Sequence, residues 1–445
     1  MDKKQVKISE KIGFTLTNLG NIPIMTLLNT YLLIFYTDVV GISPAVVGGL
    51  FLASRLLDGI SDPLLGFLID RFPHTKIGKY KPVLILGVII CCLNYLLVWF
   101  APVMFESQKI VAISISYILL GITFDLMDIP LNSLIPVLTK NEEERNTLSS
   151  IKGVSYTVGP TLLNVAAPLA ISAFSTPLNG YILLISGAVL VVLFFTIIGA
   201  LMLKERVSEE EVTEHSVKEK YTMKEAVRIL RIKPVVTLFL SMLFITAATN
   251  IFNGSLLYYL SYIVNNTRLL SIASLFGMFA ALIAGAVVSI LTQRINKKQL
   301  YILGLCLVSV CMAGFLLFGE TTLSFVVLYC GVQFSLGLTN TLQYSISADN
   351  VDIIREQLGV EATALVASLT SLIMKFAMAV GGAIPGFILS YTGYIANQAQ
   401  SIEAANGIML VTFAIPLVLY LATVIIFRSG FKFKVAKKQP KLTNS

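Results

Sequence analysis

The stretch SRLLDGISDPLLGFLIDR, residues 54–71, sets three ionisable side chains, Arg55, Asp58 and Asp62, inside an apolar run that ends on Asp70 and Arg71. Their i, i+3 and i+7 spacing sets all three on one face of a helix. If that helix spans a membrane, each charge costs roughly 2.5–3.5 kcal/mol at mid-helix on insertion scales. The face must therefore meet protein, water or an ion instead of lipid.

The rest of the chain supports the membrane premise. Its 445 residues are 56% hydrophobic and 13% charged, with a mean hydropathy of +0.82, against an apolar share of roughly 45–50% in soluble domains. A water-soluble enzyme is excluded. Apolar runs at 12–38, 42–70, 82–101, 109–136, 151–173, 179–203, 234–263, 268–292, 299–318, 322–348, 363–392 and 406–428 predict an all-α membrane protein with twelve transmembrane helices. At about 20 residues per span these use roughly 240 residues. The polar stretch 204–233 reads as a cytosolic linker between six-helix halves at 1–203 and 234–428, with a basic cytosolic tail at 429–445. Within the linker, MKEAVRILRI (223–232) has helical apolar spacing that suits the membrane surface.

Of the 33 lysines and arginines, 29 fall in the tails and in loops on one side, whereas the other side has Lys109 and Arg268. The positive-inside rule then puts both termini in the cytosol of a multi-pass plasma-membrane protein. This bias accounts for the net charge of +8, so nucleic acid is not an expected partner. Membrane lipid is, and the tail FRSGFKFKVAKKQPK should rest on anionic headgroups. One copy of the chain is expected to suffice for function. Cys91, Cys92, Cys306, Cys311 and Cys330 sit in apolar runs with no metal or redox spacing.

The halves echo one another: FLIDRFPHTKIGKYKPVLILG (67–87) and SILTQRINKKQLYILG (289–304) each join two apolar runs through a basic loop. Internal repeats of this kind place a solute site near the midplane of many transporters.

More charges lie in the spans. Asp125 and Asp128 are three apart in TFDLMDIP of the fourth span, and Lys375 lies in SLIMKFAMAVGG of the eleventh. Arg55 and Lys375 could simply neutralise carboxylates and hold the bundle together. Four acids against two bases, however, leave two carboxylates over. Oxygen ligands suit hard cations such as sodium, and a close carboxylate pair can instead share a proton. The expected cation set is Asp58, Ser61, Asp62, Asp125 and Asp128. Pro130 and Pro136 should interrupt the fourth span. Amides and phenols mark a polar interior: Asn21 and Tyr31 in span one, Asn250 and Asn253 in span seven, Asn340 and Gln343 in span ten. With Asp128, Asn132 and Lys375 they form the expected solute set. Arg55, Lys375, and the loop residues Arg71 and Arg145 are the expected coupling or gating groups, the last two closing the cytosolic face.

RLLDGISDPLLGFLIDR with GKYKP, YTDVVG (36–41), YILLGITFDLMDIPLNSLIP (117–136) and Lys375 resemble the glycoside–pentoside–hexuronide:cation symporters, a family of the major facilitator fold. The resemblance implies two pseudo-symmetric six-helix halves and no enzymatic activity. It implies cation-site roles for Asp58 and Asp62, a shared role for Asp128, and a place for Lys375 between the two sites. Ser61 and Asp125 depart from the family's asparagine and threonine. Asn132 and Asn340 stand where the melibiose-carrying branch has sugar-stacking tryptophans, Gly153 beside Lys152 where it has an arginine, and its helix-one acid has only Asn21 nearby.

The resulting expectation is symport of sodium or a proton with a small polar solute, a neutral or acidic sugar or glycoside, by alternating access and without a cofactor. A lysolipid or amphiphile carrier is the alternative substrate class. An intramembrane aspartyl hydrolase on Asp58 with Asp125 or Asp128 is the distant alternative, disfavoured because no GxGD motif is present. A non-transporting sensor is a further one.

Overall fold

The computed structural model describes residues 6–206, 228–319, 321–358 and 363–430. Most of the anticipated surface helix at 223–232, and the basic tail beyond Gly430, lie outside the described residues.

The first helix, α1 (Ile8–Leu27), continues through two π-helical turns, Leu28–Leu32 and Phe35–Val39. After it come α2 (Pro44–Asp70), α3 (Tyr80–Met104), α4 (Lys109–Asn132), the short α5 (Leu134–Leu138), α6 (Glu142–Ser172) and α7 (Pro177–Met202). Then follow α8 (Lys233–Tyr262), α9 (Leu269–Leu291), α10 (Lys297–Phe318), α11 (Thr322–Leu358) and α12 (Thr363–Tyr391). The last crossing is built from α13 (Ile402–Met409), a π turn at Leu410–Ala414, and α14 (Ile415–Gly430). Among the described residues ten helical stretches are long and apolar enough to cross a bilayer. The π-interrupted α1 and the charge-bearing α2 are not in that set.

Local chemistry explains several boundaries. Pro44 opens α2 at a position where a missing N–H costs nothing. The fourth span breaks at Ser133, between the two prolines flagged in the sequence, and resumes as α5. The fifth span starts nine residues before the expected 151, because the Asn141 side chain accepts from the Glu143 and Glu144 amides and caps the helix there. Glu142, Glu143 and Glu144 then lie at the favourable end of its dipole. Arg145 consequently belongs to the first turn of α6 and not to a loop.

Helices α1–α7 pack among themselves, and so do α8–α14. The two sets meet where α2 lies along α12, α6 along α9, and the first π turn against α8. The α2–α12 contact is closest at the end remote from the basic loops. A Cβ built on Gly48 would lie 2.7 Å from the Ala383 carbonyl oxygen, so only glycine permits this approach. The lone tryptophan, Trp99, is fully buried among Phe35, Tyr95 and Tyr181 and stacks on Tyr181 at 5.8 Å. It packs the core and offers no face to a solute.

Candidate functional site

The acids singled out in α2 sit 14 and 18 residues beyond Pro44, about 21 and 27 Å along the axis, well inside the helix. Each meets one of the two intramembrane bases. Arg55 Nη1 donates to Asp58 Oδ2 at 3.2 Å, and Lys375 of α12 forms an ion pair with Asp62 Oδ2. The Asp58 side chain is buried at 5% exposure, whereas the Lys375–Asp62 pair is partly open at 30% and 23%. Ser61 spends its hydroxyl on the Asp58 carbonyl at 3.3 Å. Asp58 packs directly on α4: a Cβ at Gly121 would collide with its carboxylate. Tyr117, one turn earlier on α4, lies within electrostatic reach of both Arg55 and Asp58.

The two remaining acids have no cation in direct contact among the described ion pairs. Asp128 accepts Asn21 Nδ2 on Oδ1 and Asn132 Nδ2 on Oδ2, both at 2.7 Å. Lys152 of α6 donates to the Asn132 side-chain oxygen Oδ1, and Tyr156, one turn further along α6, is 3.0 Å from Asn21 Nδ2. Lys152 and Tyr156 thus join Asn21, Asp128 and Asn132 of the expected solute set; Lys152 entered the sequence analysis only as the neighbour of Gly153, and Tyr156 not at all. Their i, i+4 spacing on one face of the fifth span was the available signal. Asp125 is buried with Oδ2 unpartnered among the described residues, as is Oδ1 of Asp62. The charges that act on Asp125 are Asp58, Asp128 and Arg55, which ties the α2 and α4 acids into one field.

Other expected site residues are placed elsewhere. Tyr31 lies ten residues beyond Asn21, about 15 Å along α1, and lines a crevice at the end remote from the basic loops. Asn250 bonds the Thr246 carbonyl of its own helix at 2.8 Å and packs against Gly381 of α12. Gln343 is buried and takes a 3.5 Å contact from Tyr301 between α10 and α11. The two amides are satisfied by helix packing, a common fate in membrane interiors. Asn253 is half-buried and Asn340 exposed, neither joined to the Asp128 cluster. Arg71 lies over the Phe67 ring at 3.9 Å, and Arg145 donates to the Thr139 carbonyl at 2.9 Å. Both contacts stay within α1–α7, so neither residue bridges the two helix sets in this conformation. Among the described residues no three His, Cys, Asp or Glu are preassembled around a metal ion. The α2 acids are occupied by the protein's own cations.

A burial pattern with paired acids and bases, amide-held carboxylates and a polar wall shared by α2, α4, α6 and α12 suits the passage of a polar solute. A family model described as MFS/sugar transport protein matches residues 13–432. The chain belongs to this family. An isoprimeverose transporter from Lactiplantibacillus pentosus is 30% identical to it over 99% of this chain and 91% of that protein. A putative sulfoquinovose importer of Escherichia coli (strain K12) is 27% identical over 98% of this chain and 92% of that protein. The glucuronide carrier protein homolog of the same organism is 27% identical over 89% and 86%. Among solved structures, the nucleoside transporter NupG superposes with a TM-score of 0.65 at 12% identity, covering 95% of this chain and all of that one. A bacterial homologue of the iron transporter ferroportin in an inward-facing state gives 0.63 at 17%, covering 94% and 97%. These structures show the fold. The transporter is thus a multi-pass integral membrane protein and not an enzyme.

Proposed function

We propose that the transporter is a secondary active symporter that moves a small polar solute, a sugar or glycoside, together with sodium or a proton by alternating access. The observation that carries this reading is the shared field of Asp58, Asp125 and Asp128, with the α2 acids holding cations and Asp128 holding amides. Asp58 and Asp62, with Asp125 and the unpartnered Asp62 Oδ1 close by, are the ion's ligands, and the ion takes Asp62 in exchange for Lys375. Asp128, Asn21, Asn132, Lys152 and Tyr156 are the solute's hydrogen-bonding wall. Because α4 carries acids of both groups, filling one site changes the field at the other. That gives the two ligands a reciprocal coupling, typically 1–3 kcal/mol.

The polar wall disfavours a lysolipid or other amphiphile: an ammonium, two amides, a phenol and a carboxylate grip hydroxyl- or carboxylate-bearing solutes and leave an alkyl chain without partners. Relatives named as an isoprimeverose transporter, a putative sulfoquinovose importer and a glucuronide carrier protein homolog point the same way.

The architecture assigned to this function is twelve spans in two halves, 1–203 and 234–428, with both termini in the cytosol and one copy as the working unit. The crossing of α2 with α12 and of α6 with α9 is the pairing expected of two related halves. With the basic loops inside, the close Gly48–Gly386 contact lies outside, and the conformation is inward-facing. Proteoliposomes given a sodium gradient or a proton gradient separately, with labelled pentosides, hexuronides and a lysolipid, test the assignment. One gradient should drive accumulation of a sugar-class solute; accumulation of the lysolipid alone would refute it.

A further inference from the structure

Asp38, the acid that the sequence reading passed over at the end of the first span, is held by residues nearly the whole chain away. Its carboxylate accepts the hydroxyls of Thr37 at 2.5 Å, Tyr394 at 2.6 Å and Tyr262. Its main-chain carbonyl accepts Asn397 Nδ2 at 2.6 Å. Tyr394 also reaches the Tyr262 hydroxyl at 2.9 Å, and the Asn397 amide donates to that same oxygen at 3.0 Å. Asn397 makes both of its bonds from a left-handed backbone, φ +60°, which asparagine tolerates better than most residues. Next to this knot Thr37 and Tyr258 share a 2.8 Å hydrogen bond. The bonds from Tyr262, Tyr394 and Asn397 to Asp38 and from Tyr258 to Thr37 join the first span to α8 and to the loop after α12, and the Tyr262 hydroxyl ties that loop to α8.

No described ion pair includes Asp38. Lys109 of α4, which meets the residues just after Asp38, gives its ammonium to the carbonyls of Val40 and Gly41. A carboxylate satisfied by two phenols and a threonine hydroxyl forms charge-assisted bonds, about twice as strong as neutral ones. Burial, and after it the facing Asp38 charge, raises the Tyr394 pKa, so that hydroxyl remains a donor throughout the physiological range. Beneath the knot lies a crevice of about 290 Å³ lined by Tyr31, Asp38, Tyr181, Tyr262 and Asn397 among others. The buried Tyr31 hydroxyl that lines it has no partner among the described residues. One carboxylate, on which the facing helices converge, thus closes one side of a mainly apolar crevice.

We propose that Asp38 is the latch of the gate remote from the basic loops, holding α1 to α8 and to the loop after α12 whenever the transporter opens at its other end. The proposal rests on the alternating-access reading, since the bonds must break for the crevice to open. Asp38 touches no part of the ion or solute wall described above, so it is a positioning residue for the conformational step.

The test compares the thiol-labelling rates of two reporters in the otherwise native chain reconstituted in nanodiscs, where both faces meet solvent and neither orientation nor solute matters. Ser261→Cys lines the crevice. Ser371→Cys is exposed one turn from Lys375, toward the end of α12 that faces the basic loops. Asp38→Asn should accelerate labelling at Ser261→Cys and slow it at Ser371→Cys. The expected shift is on the order of tenfold, the factor for losing one charge-assisted hydrogen bond. Tyr394→Phe keeps the ring that packs edge-on to Tyr258 and Tyr262 and guards against a misfolded Asp38→Asn. It should move both rates in the same directions, less far. General loosening would raise both rates together, and that outcome, or unchanged rates in both variants, overturns the latch. Because labelling needs no ion gradient, a failure of the symport reading in the flux assay leaves this result readable.

Discussion

Replacing Lys375 by methionine keeps most of its stem and removes the charge that holds Asp62 Oδ2 in α12's ion pair. Asp62 would then have both oxygens open, since Oδ1 already has no partner among the described residues. Two unit charges 4 Å apart attract by about 4 kcal/mol at an effective dielectric of 20. The pair is 30% and 23% exposed, so water screens part of this and about 1–3 kcal/mol remains. If Lys375 competes with the coupling ion for Asp62, its loss should tighten ion binding by about 5- to 150-fold, at 1.4 kcal/mol per tenfold. Calorimetric titration of the purified protein with sodium at fixed pH, and with pH varied at fixed sodium, measures this. Solute exchange should persist, while net uphill transport slows because the ion leaves late. Unchanged or weaker ion binding in a folded Lys375→Met protein would refute the competition.

Gly121→Ala places a methyl where the Asp58 carboxylate sits; overpacking should cost about 1–3 kcal/mol and abolish the ion-induced rise in melting temperature. Asn21→Ala and Asn132→Ala each unpair one oxygen of Asp128 and should weaken solute binding by about 1–3 kcal/mol, read as a 5- to 150-fold rise in Kd with ion binding unaltered. A cysteine at Ser107, in the turn between α3 and α4, should label from outside intact cells, whereas one at Thr75, between α2 and α3, should label only after permeabilisation.

The core of the candidate site was legible because charge in an apolar helix is costly wherever it occurs. Arg55, Asp58 and Asp62 announce a shared face by spacing alone, as do Asp125 and Asp128, and the structure joins them through Gly121 and Lys375. Charge counting in the sequence left two carboxylates over; in the described ion pairs the two without a contacting cation are Asp125 and Asp128. Amides were less readable. Asn21 and Asn132 turn toward Asp128, yet Asn250 serves its own helix and Gln343 its neighbours, and nothing in composition separates these cases. Asp38 escaped notice because it ends a span, where a carboxylate is unremarkable. Its partners at 262, 394 and 397 are brought to it only by the packing of helices distant in sequence. The start of α6 depended on a single capping asparagine inside a polar run that otherwise read as loop.

Asp62→Asn tests the symport account most directly. It removes one negative charge from the proposed ion ligands, keeps the side chain's shape and leaves the Asp128 cluster untouched. Concentrative uptake and solute counterflow should be measured side by side in proteoliposomes containing properly folded, membrane-inserted mutant. The account predicts that ion-driven accumulation disappears while counterflow of the same solute continues. Full ion-driven accumulation by Asp62→Asn would contradict it.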